Sequence, residues 1–138
     1  MADNTYLLEV VTPERVLQSK QVSFTVVPAI DGELGIMKNH APLVAALNIG
    51  VLRYVDESGS QNKMAVSGGF IEVLDNEARV LAETAEHGHE IDVLRAKAAR
   101  ERAEKRLQQR AENINYARAE QALKRAIARL KAAGAYTD

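Results

Sequence analysis

Six arginines in the last third of the chain fall into two matching sets. Arg95, Arg102 and Arg106 are spaced 7 and 4 apart, and Arg118, Arg125 and Arg129 repeat that spacing. On a helix such spacings keep the side chains along one face. A guanidinium is a planar fork that grips phosphate or carboxylate oxygens in pairs. Each arginine alone reads as a solvated side chain balanced by Glu101, Glu104 or Glu120, with Glu101–Lys105 and Glu120–Lys124 at i,i+4. The set reads differently, because several guanidinium groups beside one shallow seam repel each other unless an anion sits among them.

Other reactive side chains offer less. Gly68-Gly69 is followed by an apolar run without the Lys-Ser or Lys-Thr of a phosphate loop, so a turn or bulge is expected there. His87-Gly88-His89 supplies two metal-type ligands but no evident third, and is expected to be a solvated linker without a metal. Ser67 has no activating motif around it, and the chain has no Cys. No catalytic set emerges, and the expectation is a protein that is not an enzyme.

The elements that must position the arginines begin at Glu90-Ile91-Asp92-Val93-Leu94-Arg95-Ala96. Before this stretch the sequence reads as strands and turns, and after it as helix. Asp92 is a candidate N-cap, and Ile91 with Ala96 has the spacing of a hydrophobic staple. Helical periodicity runs from Asp92 to about Arg110 and from Asn115 to about Ala133, each roughly 28 Å long. With Ala111-Glu112-Asn113-Ile114 between them, an antiparallel hairpin follows. Gly134 is its expected stop. The seams are Ala96, Ala99, Ala103 and Leu107 on the first helix, and Tyr116, Ala119, Leu123, Ala126, Leu130 and Ala133 on the second. Seams this rich in alanine bury little area, so the pair should open at modest cost.

Upstream, short apolar runs are expected as strands at Tyr6–Val11, Val22–Val27, Leu43–Leu47, Val51–Val55, Lys63–Val66, Phe70–Leu74 and Ala78–Ala82. Val22, Phe24 and Val26 are placed on one face by their period of two. Turn residues lie between the runs and no crossover helices do, which predicts an antiparallel β-sandwich rather than a parallel sheet. The expected division is a β-sandwich over 1–85 and an α-helical hairpin over 86–138. The two parts differ in charge: 6 Lys/Arg against 11 Asp/Glu before residue 86, and 12 against 8 from there on. The net −1 therefore hides two oppositely charged modules. The amino terminus lacks the basic and apolar regions of a signal peptide, and no apolar run is long enough to span a bilayer. The expectation is a soluble, cytoplasmic protein.

Gly32-Glu33-Leu34-Gly35-Ile36, His40-Ala41-Pro42-Leu43 and Ser67-Gly68-Gly69-Phe70-Ile71-Glu72-Val73 together resemble the ε subunit of bacterial F-type ATP synthase, and the resemblance extends over essentially the whole chain. The second half resembles the nucleotide-sensing members of that family. Their Ile/Leu-Asp-x-x-Arg-Ala motif is matched by Ile91-Asp92-Val93-Leu94-Arg95-Ala96. Glu86 matches their preceding acidic residue, Arg102 the arginine seven positions on, and Arg125 and Arg129 the pair on the second helix. The resemblance implies ATP as a regulatory ligand, with Mg²⁺ held only through its phosphates. Glu86, Ile91, Asp92 and Ala96 would lie by the adenosine end, and Arg95, Arg102, Arg125 and Arg129 by the phosphates. It further implies a peripheral place on the cytoplasmic face of the cell membrane, in the F1 sector. The sandwich would meet the γ subunit and the c-ring. The hairpin would meet the α/β catalytic head when extended, and there inhibit ATP hydrolysis. The residues leave one alternative, a stand-alone nucleic-acid-binding module using the basic hairpin. Only Tyr116 and Tyr136 are available there for stacking, and interleaved glutamates dilute the field.

Overall fold

The computed structural model describes residues 4–109 and 115–137. The expected helix end at Arg110 and the connection Ala111-Glu112-Asn113-Ile114 lie outside the described residues. Nine strands come first: β1 (Tyr6–Val11), β2 (Val16–Ala29), β3 (Gly32–Ile36), β4 (Leu43–Ala46), β5 (Gly50–Asp56), β6 (Gln61–Ser67), β7 (Phe70–Leu74), β8 (Glu77–Leu81) and β9 (Thr84–His87). A 3₁₀ turn, Gly88–Glu90, leads to helices α1 (Val93–Gln109) and α2 (Tyr116–Ala132).

The strands hydrogen-bond in the order β4-β7-β8-β1-β2-β5-β6-β9, with β3 also on β2, and fold over one aliphatic core. Among the described residues every strand pairing is antiparallel but one: β1 and β8 run parallel. They are distant in sequence, so no tight hairpin fixes their relative direction. Asp75 and Asn76, both at positive φ, form the two-residue turn between β7 and β8. Gly69 settles the Gly68-Gly69 question as a tight turn. Its φ is +95°, and an added Cβ would stand 1.9 Å from the Leu81 carbonyl oxygen.

The second strand departs from simple alternation. Its register against β5 shifts between Val22 and Phe24. A bulge reverses which residues face inward beyond it. Val22 is therefore buried, Phe24 is turned out to 38% exposure, and Thr25 and Val27 enter the core. Inside that core the Tyr6 hydroxyl donates to the Ile36 carbonyl at 3.0 Å and shares a 2.5 Å hydrogen bond with the Thr25 hydroxyl.

The helices pack on each other, and α2 also packs on β5 and β6. Asn115 caps α2 by accepting from the Arg118 amide at 3.1 Å. At the other end Gly134, at φ +74°, completes a Schellman motif: Ala135 N–H donates to Leu130 and Gly134 N–H to Lys131. The helix thus has two buried faces. Ala119, Ala126 and Leu130 belong to the expected seam, whereas Ala128 and Ala132 are buried with Ala65 and Ile91.

Candidate functional site

Asp92 starts α1 as its side chain dictates. One carboxylate oxygen accepts the Arg95 amide at 3.1 Å, satisfying a donor that the first turn leaves free. Ile91 and Ala96 are both buried, in one cluster with Ala65, Ala128, Leu130 and Ala132. That anchorage fixes the face of α1 bearing Arg95, Ala99 and Arg102.

Facing it is the last strand of the sheet. Glu86 lies in β9, paired with Ala65 of β6. Arg129, from the end of α2, donates its Nε–H to Glu86 Oε1 at 2.6 Å. Between these elements lies a cleft of about 340 Å³, lined by Glu86, Glu90, Ile91, Asp92, Arg95, Ala96, Ala99, Arg102 and Arg129. This falls within the roughly 300–1,000 Å³ of small-molecule sites. Three carboxylates and three guanidinium groups share its wall.

Seven of the residues expected from sequence meet in this cleft: Glu86, Ile91, Asp92, Arg95, Ala96, Arg102 and Arg129. Arg125 does not line it. It faces an adjoining hollow with Ala65, Ser67, Thr84 and Ala128, behind the Glu86–Arg129 pair. Glu90 and Ala99 are additional lining residues. Ala99 stands four residues after Arg95 and three before Arg102, so helical period alone could have found it. The expected crowding of guanidinium groups is relieved at one member, since Arg129 has Glu86 as its partner. Among the described residues, the i,i+4 ion pair on α1 is Arg100 with Glu104, at 3.7 Å, rather than the expected Glu101 with Lys105.

The tail beyond α2 was not expected to take part. Two cations approach the Tyr136 ring, the Arg100 guanidinium at 5.2 Å and the Lys131 ammonium at 4.9 Å from its centre. Arg100 also donates to the Thr137 carbonyl at 2.6 Å, tying α1 to the segment after α2.

His87-Gly88-His89 is not a solvated linker. Gly88 is buried, and a Cβ there would stand 2.2 Å from the Ala132 carbonyl oxygen. The turn is pressed against the end of α2.

The family model for the ATP synthase delta/epsilon chain β-sandwich domain matches residues 5–88, and that for its long α-helix domain matches 89–134. The ATP synthase epsilon chain of Syntrophomonas wolfei subsp. wolfei is 70% identical over 132 residues, covering 96% of each chain. That of Symbiobacterium thermophilum is 53% identical, covering 98% of this chain and 96% of its own. Among solved structures, a chain in the cryo-EM structure of Euglena gracilis mitochondrial ATP synthase, OSCP/F1/c-ring, superposes with a TM-score of 0.80 at 25% identity. The match covers 94% of this chain and 81% of that one. Sandwich, hairpin and relatives agree, and the chain belongs to the epsilon-chain family of the bacterial F-type ATP synthase.

Proposed function

We propose that the chain is the epsilon subunit of the central stalk, with a sensor for ATP built into its hairpin. In this reading the sandwich joins the γ subunit and the c-ring on the cytoplasmic face of the membrane. The chain itself is a non-catalytic regulator. Its hairpin, when extended, reaches the α/β head and restrains ATP hydrolysis. Family membership and the superposition on an F1/c-ring assembly support the stalk position. Among the described residues no helix is long and apolar enough to cross a membrane, consistent with peripheral attachment. The nucleic-acid alternative draws no support from any relative.

The observation that carries the sensor reading is the cleft between β9, the start of α1 and the end of α2, where seven residues of the nucleotide-sensing pattern meet. Bound ATP would supply a polyanion and an aromatic base, with any Mg²⁺ carried on its phosphates. Ile91 and Ala96, largely buried in the hairpin's packing, give the cleft an apolar floor at the end suited to a base. Glu86 and Asp92 offer acceptors for amino or hydroxyl groups. Arg95, Arg102 and Arg129 present forked donors suited to phosphates, with Arg125 close behind. These residues come from three elements that meet only while the hairpin lies folded against the sheet.

The hairpin's buried contact with the sandwich is built largely of small side chains. Ala65, Ala96, Ala128 and Ala132 make up most of its buried residues beside Leu130 and Ile91, with Ile49, Val51, Val93 and Tyr136 partly buried around them. Any ligand preferring the folded form shifts the balance by its differential affinity for that form and no further. Titration calorimetry of the full chain with ATP tests the proposal. Saturable binding that Arg95→Ala abolishes or greatly weakens is expected. No heat at millimolar ATP, or binding unchanged by Arg95→Ala, refutes it.

A further inference from the structure

The structure supplies the third metal-type ligand that the sequence reading of His87-Gly88-His89 lacked. Among the described residues, a ring nitrogen of His87, a ring nitrogen of His89 and a carboxylate oxygen of Glu90 all lie within 4.8 Å of one another. The imidazoles are stacked, with centroids 5.2 Å apart and planes 15° from parallel. His87 Nε2 is 3.8 Å from Glu90 Oε1. We propose that His87, His89 and Glu90 form a binding site for a divalent transition-metal ion, with zinc the best match.

The donor set argues for that class of ion. Two imidazoles and one carboxylate suit zinc, which takes three such ligands and leaves a fourth position for water. Magnesium and calcium favour oxygen ligands and fit poorly here. Ligands of a tetrahedral zinc at about 2.0–2.2 Å from the metal stand roughly 3.4 Å apart. The three donors therefore close by about 1.4 Å at most, and the His89 ring turns out of its stack so that its in-plane lone pair meets the metal. His89 and Glu90 are exposed and can make that movement by side-chain rotation.

The backbone beneath them is already fixed. His87 pairs with Met64 in the sheet, Gly88 is wedged against the Ala132 carbonyl, and the Ile91 amide donates to the Gly88 carbonyl at 3.3 Å. His87 is the anchored member, with its side chain only 17% exposed and Nε2 3.4 Å from the Leu17 carbonyl oxygen. A carbonyl bonded to Nε2 keeps the proton there, so Nδ1 is the nitrogen left to bind the metal. The opposing feature is Arg15, whose guanidinium is 4.0 Å from the other Glu90 oxygen. Its positive charge acts against a bound cation.

The site lies in the link between sheet and hairpin, where the turn touches the end of α2. A metal ion held there stabilises the turn in the conformation that receives α2 by mass action, and it shares Glu90 with the lining of the cleft.

The test is calorimetric titration of the full chain with zinc chloride in nucleotide-free buffer, alongside a thermal unfolding scan. The expected result is one zinc per chain and a rise in Tm on saturation. His89→Ala and Glu90→Gln, both exposed positions, should each weaken binding by more than about tenfold, as loss of even an outer partner of a metal site often does. Arg15→Ala should tighten it. His40→Ala, with its histidine remote from the turn, should leave it unchanged. Absence of saturable binding overturns the proposal. So does affinity unaltered in both His89→Ala and Glu90→Gln, or a stoichiometry of one zinc per two chains.

Discussion

Arg129 Nε lies 2.6 Å from Glu86 Oε1, joining the end of α2 to the last strand of the sheet across 43 residues of sequence. Both side chains remain more than a third exposed, so solvent screens the pair. An ion pair of this exposure contributes at most about 1 kcal/mol. Glu86→Gln should therefore lower the stability of the ligand-free chain by no more than about 1 kcal/mol. The deficit should shrink as salt is raised, and a double-mutant cycle with Arg129→Gln in urea should return a coupling of the same size. A coupling of several kcal/mol would mean that the contact is a principal lock on the hairpin.

Gly88 makes a different kind of junction, one of backbone against backbone. An added Cβ would meet the Ala132 carbonyl oxygen at 2.2 Å and the Lys63 carbonyl oxygen at 3.2 Å. Neither neighbour is a flexible side-chain tip, so α2 must shift. Overpacking of this sort costs about 1–3 kcal/mol. Gly88→Ala should accelerate amide exchange in the last two turns of α2 while leaving exchange in β1 and β2 unchanged. Equal protection of α2 in both proteins would show that its docking does not depend on this approach.

What could be foreseen from sequence divides along physical lines. Tyr6–Val11 and Phe70–Leu74 were placed to the residue because each is a compact apolar run between turn formers. β9 escaped because Thr84-Ala85-Glu86-His87 has one small apolar residue and no visible alternation. It matters because it carries Glu86. β3 escaped because two glycines dilute Gly32–Ile36. Only part of β2 was foreseen, since its first half is polar and half-exposed, and the bulge that turns Phe24 outward leaves no mark on a period-two pattern. The arginine spacings put Arg95, Arg102 and Arg106 on one face of α1; Arg95 and Arg102 line the cleft and Arg106 does not. On α2 the same reasoning could not separate Arg125 from Arg129. Residues four apart share a face, and both line the adjoining hollow, but only Arg129, one turn further along α2, also reaches the cleft. The second buried face of α2, Ala128 and Ala132, was hidden because alanine contributes little to hydrophobic periodicity.

Tyr6 gives the sandwich an alkaline limit. Burial pushes its phenol from 10.0 up to about 12, a shift that its hydrogen bond with Thr25 only partly opposes. Above pH 10 the unfolded chain releases this proton while the folded chain keeps it. The stabilisation is thus fully present below pH 10 and is lost as pH rises toward about 12. Two units correspond to about 2–3 kcal/mol. Tyr6→Phe should be less stable at neutral pH by about 1–3 kcal/mol, since the Thr25 hydroxyl and Ile36 carbonyl lose a partner. The gap between the two proteins should narrow across that alkaline window, as read from urea midpoints at each pH. A gap constant with pH would mean that the Tyr6 phenol titrates as it does in the unfolded chain.

The arginines of the cleft should differ in their effect on nucleotide binding according to where they stand. Arg95 and Arg102 lie on the lining of the cleft, on the α1 wall. Each would make charge-assisted hydrogen bonds to phosphate, worth about 1.5–3 kcal/mol. Arg95→Ala and Arg102→Ala should each raise the Kd for ATP by roughly tenfold or more. Lysine at either position should restore charge but not full affinity, because an ammonium lacks the planar fork. Arg125 must reach past the Glu86–Arg129 pair to enter the cleft, so Arg125→Ala should cost clearly less than either. Calorimetry on the three variants at one salt concentration gives the order directly. Were Arg125→Ala the most damaging of the three, the Glu86–Arg129 pair would have to part on binding, with both α2 arginines turning to the phosphates.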